Sequence, residues 1–182
     1  MLIITSIDVN AQHYFVVGKD TTFCNYLVYG TTAQGFLNSL EYTDTTGKNI
    51  ILEGRDNVPD VATFFINGFS IDKTPVRAHK PNGYIRYTER AVDGKLRVYL
   101  ARQSYTPAMG SLEAGGPSGI YRFYLKMPDG TYYKINNKHN MEDFIKPYLL
   151  KCKDFENQYK GDFSAHEGPF MKMIRLYNSL CE

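Results

Sequence analysis

The sequence predicts an α+β fold, in which an antiparallel β meander is followed by short C-terminal helices. Tyrosine and phenylalanine, which favour strands, number 15 and 11 among 182 residues. Turn signals separate short apolar runs along most of the chain, and beyond Asn136 the apolar period changes from two to about 3.6. We therefore expect about eight to ten strands, curled into a sandwich or an open barrel, with the helices packed on them.

The first strands follow runs rich in aromatic and aliphatic residues, near residues 13–17, 22–29, 36–43 and 49–53. Asn67-Gly68 then separates two more strands, because this dipeptide favours a two-residue hairpin turn. Neither an internal repeat nor a linker interrupts the chain. We expect a single domain over residues 12–182, β-rich over 12–136 and helical over 140–182.

Two later hairpins allow a prediction of register. A two-residue turn at Asp93-Gly94 separates an apolar face from a charged one and places Arg90 opposite Arg97. At Pro128-Asp129-Gly130 a two-residue turn would pair polar with apolar residues. A three-residue loop with its glycine in the left-handed conformation pairs Leu125 with Tyr133 instead.

The helical tail is predicted to begin with Asn140 as its N-cap. Pro147 removes one internal hydrogen bond, so a kink or a break is expected there. The apolar stripe of this first helix comprises Phe144, Ile145, Tyr148, Leu149 and Cys152, and a last helix buries Phe170, Met173, Ile174, Tyr177, Leu180 and Cys181.

The three cysteines fit an oxidising compartment. Cys152 and Cys181 end apolar stripes on helices that are expected to pack together, so we predict a disulfide between them. Cys24 is then left over, buried or free. No pair of cysteines has the spacing of zinc ligands, and we expect neither a metal nor a cofactor.

Residues 1–11 are interpreted as the remnant of a signal peptide. Val9-Asn10-Ala11 satisfies the small-residue rule of signal peptidase, and the mature chain would then begin at Gln12. The alternative is an ordinary first strand that begins near Leu2.

One surface is a candidate for binding. Residues 73–102 hold eight lysines or arginines against two acidic residues, and the predicted registers place cations and tyrosines together on one sheet face. Arginine pairs with carboxylate, sulfate or phosphate, and tyrosine stacks on sugar rings. The alternative is a solvated outer face whose charges prevent edge pairing. The candidate residues are Tyr84, Arg86, Arg90, Lys95, Arg97, Tyr99, Arg122, Tyr124, Lys126, Tyr132 and Lys134.

The sequence contains no recognisable catalytic motif. A net charge of +2 is too small to indicate a nucleic-acid partner, and no apolar run approaches the ~20 residues of a transmembrane helix. The first hypothesis is a non-enzymatic secreted or envelope protein that binds an anionic glycan or an envelope protein. The second is a secreted hydrolase, because two carboxylates far apart in sequence leave no signature.

Four segments carry a resemblance to a known group. They are GTTAQGFLNSLEY, RYTERAVDGKLRVYL, MPDGTYYKINNKHNMEDFIKPYLLKC and the final LYNSLC. Together they resemble a group of uncharacterised small secreted β-rich proteins of Bacteroidota. The resemblance covers most of the chain, implies export, favours the signal-peptide interpretation of residues 1–11, and supplies no catalytic residue.

Overall fold

The computed structural model describes residues 13–80, 83–101, 122–135 and 138–181, without the side chains of residues 76–85 and Arg122. Its strands are β1 (His13–Val17), β2 (Asp20–Thr31), β3 (Leu37–Asp44), β4 (Asn49–Glu53), β5 (Val61–Ile66), β6 (Phe69–Lys80), β7 (Gly83–Val92), β8 (Arg97–Ala101), β9 (Arg122–Lys126) and β10 (Tyr132–Lys134). Its helices are α1 (Lys138–Asn140), a π-helical turn π1 (Met141–Ile145), α2 (Lys146–Leu149), α3 (Lys153–Gln158) and α4 (Glu167–Leu180).

The ten strands form one sheet in the order β10-β9-β8-β7-β6-β5-β1-β2-β3-β4. It comprises two antiparallel meanders, β1 to β4 and β5 to β10, which meet where β1 pairs with β5. The predicted α+β class, with an antiparallel meander and short C-terminal helices, is confirmed. The described part of the sheet is open, with β10 and β4 as its two edge strands.

The described residues fall into two compact units. Residues 13–73 belong to the first, and those from 74 onward belong to the second. Strand β6 begins in the first unit and ends in the second. The single domain expected from the sequence therefore stays a prediction.

The first unit is built from strands alone among its described residues. Alternate side chains point to one face, where Tyr29 stacks on Phe64 with ring centroids 4.3 Å apart. The predicted turn at Asn67-Gly68 is confirmed, because both residues have positive φ, 51° and 85°, and Ile66 pairs with Phe69. Other buried members of this unit are Phe15, Cys24, Leu27, Leu37, Leu40 and Val61.

The second unit packs its helices against one face of β7, β8 and β9. The predicted disulfide is confirmed, since Cys152 and Cys181 are bonded with their Cα atoms 6.1 Å apart. Cys24, in the first unit, is a free and buried thiol. The core between sheet and helices includes Val92, Leu96, Val98, Leu125, Ile135, Ile145, Leu149, Phe155, Phe170, Met173, Ile174 and Tyr177.

The register predicted for the Asp93-Gly94 hairpin is wrong. Arg90 pairs with Tyr99 rather than with Arg97, and a bulge precedes Val92. The physical reason is a partner far along the chain. Asn178 of α4 accepts a hydrogen bond from the N–H of Leu96 at 2.9 Å, and its side-chain amide donates to carbonyls of Asp93 and Leu96 at 3.0 and 2.8 Å. These bonds hold residues 93–96 in a wide loop.

The register predicted for the Pro128-Asp129-Gly130 hairpin is confirmed. Leu125 pairs with Tyr133, and the N–H of Met127 donates to the carbonyl of Thr131 at 2.8 Å. Gly130 has φ 87°, as the three-residue loop requires.

The helical tail departs from its prediction at two points. Its described part begins at Lys138, and Asn140 is helical, with a side-chain amide that donates to the carbonyl of Lys134 at 3.0 Å. Asn140 directly precedes π1, but it is itself helical and makes no side-chain capping bond, so the tail does not begin there as predicted. The irregularity expected at Pro147 takes the form of the π1 turn, closed by the Lys146 N–H and the Met141 carbonyl. A wider turn avoids the clash between a proline ring and the carbonyl four residues before it.

Candidate binding site

The two hairpins that carry the predicted binding residues are neighbours in the sheet. Strand β8 pairs with β9, which places Arg97 opposite Lys126 and Tyr99 opposite Tyr124. Strand β10 pairs with β9 on its other side, with Tyr132 opposite Lys126. Because side chains directly opposite each other share a face, these residues lie together on the side of the sheet away from the helices.

The middle of this face is buried, so the solvent exposure expected there is wrong. Tyr99 is 2% exposed and Tyr124 8%, and both belong to a small apolar cluster with Ala101 and Tyr132. On β7 the neighbouring Thr88 is 1% exposed. The cations that remain accessible lie at the turn end of the hairpins and along the edge strand β10.

Arg90 and Arg97 do not form the repulsive pair that the sequence predicted. Asp93 lies between them: its carboxylate is 3.1 Å from Nη1 of Arg90 and 2.9 Å from Nε of Arg97. Burial raises the pKa of Asp93, but the N–H of Gly94 and the two guanidinium groups outweigh burial and lower the pKa overall. An internal carboxylate thus supplies the counter-charge to both arginines.

The position predicted for Lys95 is wrong, and two other candidate residues have side chains outside the described part. Lys95 does not lie on the face, because its Nζ donates to the carbonyl of Cys181 at 2.7 Å on the helix side. The side chains of Tyr84 and Arg122 are outside the described residues. Arg86 shares a face with Arg90 because their positions on one strand differ by an even number.

We call Arg97, Lys126, Tyr132 and Lys134 the cationic edge. The Nζ of Lys126 lies 5.6 Å from the centroid of the Tyr132 ring, within the range of a cation–π contact. Arg97 is 40% exposed at its side chain, and Lys134 is exposed on β10. Among the described residues, neither Lys126 nor Lys134 forms an ion pair.

A second candidate site, which the sequence did not predict, lies on the opposite face of the β9–β10 hairpin. It is an open groove of about 370 Å³ between this hairpin and the first helical segment. We call it the aromatic groove. Its lining includes Tyr133, Phe144 and Tyr148, together with the charged residues Asp129, Asp143 and Lys151.

The groove was missed because Phe144 and Tyr148 were assigned to a buried helical stripe. Ile145 and Leu149 of that stripe are buried as predicted, together with Met141, whereas Phe144 is 43% exposed. The π1 turn contains one residue more than an α-turn and so rotates the apolar stripe relative to a regular helix. Pro147, three residues after Phe144, was the sequence signal for this irregularity.

The carboxylates of the groove are engaged locally. The Thr131 N–H donates to Asp129 Oδ1 at 2.8 Å, and hydrogen bonds from Thr131 lower the pKa of Asp129. The carboxylate of Asp143 contacts Nδ1 of His139, one helical turn away. A catalytic general acid needs a raised pKa, and the pKa of Asp129 is shifted in the opposite direction.

Comparisons with known proteins found no relative of this chain. No family model matches the chain, and no match was found among curated proteins or solved structures. The resemblance to secreted proteins of Bacteroidota therefore stays a prediction. Within the described residues, no helix is long and apolar enough to cross a membrane, and no three His, Cys, Asp or Glu are grouped to hold a metal ion.

Proposed function

We propose that the protein is a non-enzymatic binding protein of the cell exterior or envelope, which binds an anionic glycan through the cationic edge. One observation carries the proposal: Arg97 and Lys126 lie directly opposite each other on neighbouring strands. Like charges in this position reduce stability by a few tenths of a kcal/mol to about 1 kcal/mol. Asp93 already offsets part of the charge of Arg97, and an anion bound beside Lys126 would offset the repulsion that remains.

The chemistry of the cationic edge favours a sulfate or carboxylate group carried on a sugar. Lys126 and Lys134 have ammonium groups without a described carboxylate partner, and Arg97 shares its guanidinium with Asp93. The half-buried ring of Tyr132 lies beside them and offers an apolar surface to a sugar ring. Because these charges are near the surface, the interaction should weaken as salt screens them.

Export is part of the proposal and has separate support. The disulfide between Cys152 and Cys181 is of a kind that persists in oxidising compartments. The segment interpreted as a signal-peptide remnant, residues 1–11, lies outside the described residues. Mass spectrometry of the protein from its host should find Gln12 at the mature N-terminus, and an intact Met1 in cytosolic protein would contradict export.

The test of binding compares two double variants with the same change of charge. Lys126→Gln/Lys134→Gln removes two cations from the cationic edge, and Lys160→Gln/Lys172→Gln removes two exposed cations from elsewhere in the second unit. The probe is a sulfated oligosaccharide prepared from heparin. We expect the first variant to lose about ten-fold in affinity at low salt and the control about two-fold or less.

Two results would count against the proposal. Equal losses in the two variants would mean that only net charge matters. Binding that does not change with salt would mean that the probe does not engage exposed cations. An acidic protein partner, rather than a glycan, is indicated if carboxylate-rich peptides bind more tightly than every sulfated or uronic-acid sugar tested.

The alternative, a secreted hydrolase, has one supporting observation: two carboxylates, Asp129 and Asp143, line the aromatic groove. Glycoside hydrolysis needs one carboxyl group that is protonated near neutral pH. The lowered pKa of Asp129 works against that role. Release of reducing sugar from glycan substrates, abolished by Asp129→Asn or Asp143→Asn, would favour the hydrolase over our proposal.

A further inference from the structure

We propose that the aromatic groove binds a neutral pyranose residue of a glycan. This site goes beyond the proposed function and does not rest on it, because it lies on the other face of the β9–β10 hairpin. Residues alternate between the two faces of a strand, so Tyr132 and Lys134 belong to the cationic edge while Tyr133 belongs to the groove.

The first support is an exposed aromatic platform. Phe144 stacks on Tyr133 with their centroids 5.2 Å apart and their planes at 18°. His139 packs perpendicular to the Phe144 ring, with centroids 5.5 Å apart. These contacts fix the ring, although Phe144 remains 43% exposed. A fixed and exposed ring suits a pyranose, whose C–H bonds contact the negative face of an aromatic ring.

The second support is the backbone that presents this platform. Phe144 and Asp143 both lie in the π1 turn, and both line the groove. π-helical turns are rare and occur often at functional sites. Pro147 gives this turn a structural cause as well, because a regular α-helix would bring its ring against a carbonyl. The turn therefore directs Phe144 away from the core that Ile145 enters.

The third support is the mixture of charges around the platform. The residues that line the groove include two that are acidic, Asp129 and Asp143, and one that is basic, Lys151. A ligand of either sign would meet a like charge there. A neutral sugar avoids this conflict, since its hydroxyl groups donate hydrogen bonds to carboxylates and accept them from an ammonium. Among the described residues Lys151 forms no ion pair, so it is available to such a ligand.

The size and shape of the groove fit this class of ligand. Its volume of about 370 Å³ is at the small end of the ~300–1,000 Å³ that is usual for small-molecule sites. The groove is open to solvent, so a sugar residue bound there can remain part of a longer glycan. This geometry suits one residue within a glycan.

The test is an NMR titration of the whole protein with three neutral probes: maltotriose, cellotriose and the trimer of N-acetylglucosamine. We expect at least one probe to shift the ring signals of Phe144 and Tyr148. Phe144→Ala should reduce its affinity about ten-fold, because one stacking contact is lost. The matched control is Phe23→Ala, which removes another exposed phenylalanine (53%) from strand β2 of the first unit. The control should bind as the original protein does.

Further variants make the outcome decisive. Lys151→Ala removes an exposed side chain that contributes nothing to the core, so it should fold normally and bind the same sugar a few-fold more weakly. Lys126→Gln/Lys134→Gln should leave neutral-sugar binding unchanged, and salt should not affect it. These outcomes test the groove separately from the cationic edge. If the cationic edge does not bind an anionic glycan, the results expected for neutral sugars stay the same.

The proposal is overturned if none of the three sugars perturbs the groove, or if Phe23→Ala loses as much affinity as Phe144→Ala. If Phe144→Ala does not fold, Lys151→Ala decides the question. Binding of the sugar with full affinity by Lys151→Ala would then also overturn the proposal. A proline-rich peptide also docks on aromatic grooves. Tighter binding of such a peptide than of any sugar, lost in Phe144→Ala, would assign the groove to a protein partner instead.

Discussion

The two hairpins of the second unit close their turns in different ways. In β9–β10 the turn is closed by its own residues, through the hydrogen bond from Met127 to Thr131 and the bond from Thr131 to Asp129. In β7–β8 the loop is closed from outside, because Asn178 of α4 makes three hydrogen bonds to Asp93 and Leu96. The first turn is a local structure, whereas the second depends on Asn178 of α4, which is 82 and 85 residues away from its partners Leu96 and Asp93.

The two turns also differ in why each requires a glycine. Gly130 has φ 87° and open space where a Cβ atom would lie. Gly94 has φ 130°, and a Cβ atom there would lie 2.6 Å from Nδ2 of Asn178. Gly130 is required only by backbone conformation, and Gly94 is required also by the close approach of the helix.

The largest expected effect comes from opening the disulfide. Replacing Cys152 and Cys181 with Ser should lower the free energy of unfolding by about 3.6 kcal/mol, by the chain-entropy estimate for a separation of 29 residues. It should also free the end of α4, where the carbonyl of Cys181 holds Lys95. Urea denaturation measures the loss, and hydrogen exchange should show the amide of Leu96 losing more protection than that of Met127. Equal losses at the two amides would contradict the dependence of the β7–β8 loop on the helix.

A smaller and more specific effect is expected from the two glycines. Gly130→Ala should cost about 1 kcal/mol, because alanine tolerates positive φ poorly. Gly94→Ala should cost about 3 kcal/mol, because the added methyl group also displaces Asn178 and its hydrogen bonds. Thermal and urea unfolding of the two variants measures both values.

A double variant identifies the cause of this difference. If the methyl group acts by displacing Asn178, then Gly94→Ala combined with Asn178→Ala should cost less than the sum of the two single changes. Strict additivity would mean that the penalty at Gly94 is conformational, as it is at Gly130.

The smallest effect concerns the two aspartates of these turns. Asp93 has its pKa lowered, against the effect of burial, by the Gly94 N–H, Arg90 and Arg97, and Asp129 has its pKa lowered by hydrogen bonds from Thr131. A carboxyl group whose pKa is lowered on folding stabilises the folded state at pH values above its unfolded pKa of about 3.9. This stabilisation is lost as the pH falls through the folded pKa. Asp93→Asn should therefore remove a few tenths of a kcal/mol at neutral pH, and this difference should disappear in acid.

Salt distinguishes the two aspartates. The effect of Asp93→Asn should shrink as salt is added, because part of it is attraction to two arginines. The effect of Asp129→Asn should not shrink, because the partners of its carboxylate are neutral hydrogen-bond donors. Asp93→Asn should also release Arg97 and raise the affinity for the heparin-derived probe about two-fold. A salt response of the same size in both variants would show that the arginines contribute little.

The same contrast explains how much of the fold could be predicted from the sequence. Asn67-Gly68 and Pro128-Asp129-Gly130 were predicted correctly, because each turn is specified by its own residues. The register after Arg90 was predicted wrongly. It depends on hydrogen bonds from Asn178 and on the bulge before Val92, and a local sequence pattern indicates neither. The disulfide was predicted because the two cysteines end helical stripes, a feature that helix periodicity reveals.

The candidate site was predicted less well than the fold. Alternation correctly placed Lys126, Tyr132 and Lys134 on one face, but it carries no information about what covers that face, and Tyr99 proved to be buried. Periodicity likewise assigned Phe144 to the buried stripe, because the irregularity expected at Pro147 did not reveal that the preceding turn is π-helical. The first failure concerns tertiary packing and the second a local change of helix type, and apolar periodicity alone encodes neither.

The three residues of β10 have a consequence for how this protein can change. Tyr132 and Lys134 face the cationic edge, and Tyr133 between them faces the groove. Substitutions at 132 and 134 can therefore alter one surface while the other stays as it is, so the two can be selected independently. An insertion or deletion of one residue in the preceding turn would act quite differently. It would exchange the two sets of side chains, and both surfaces would be lost in a single mutational step.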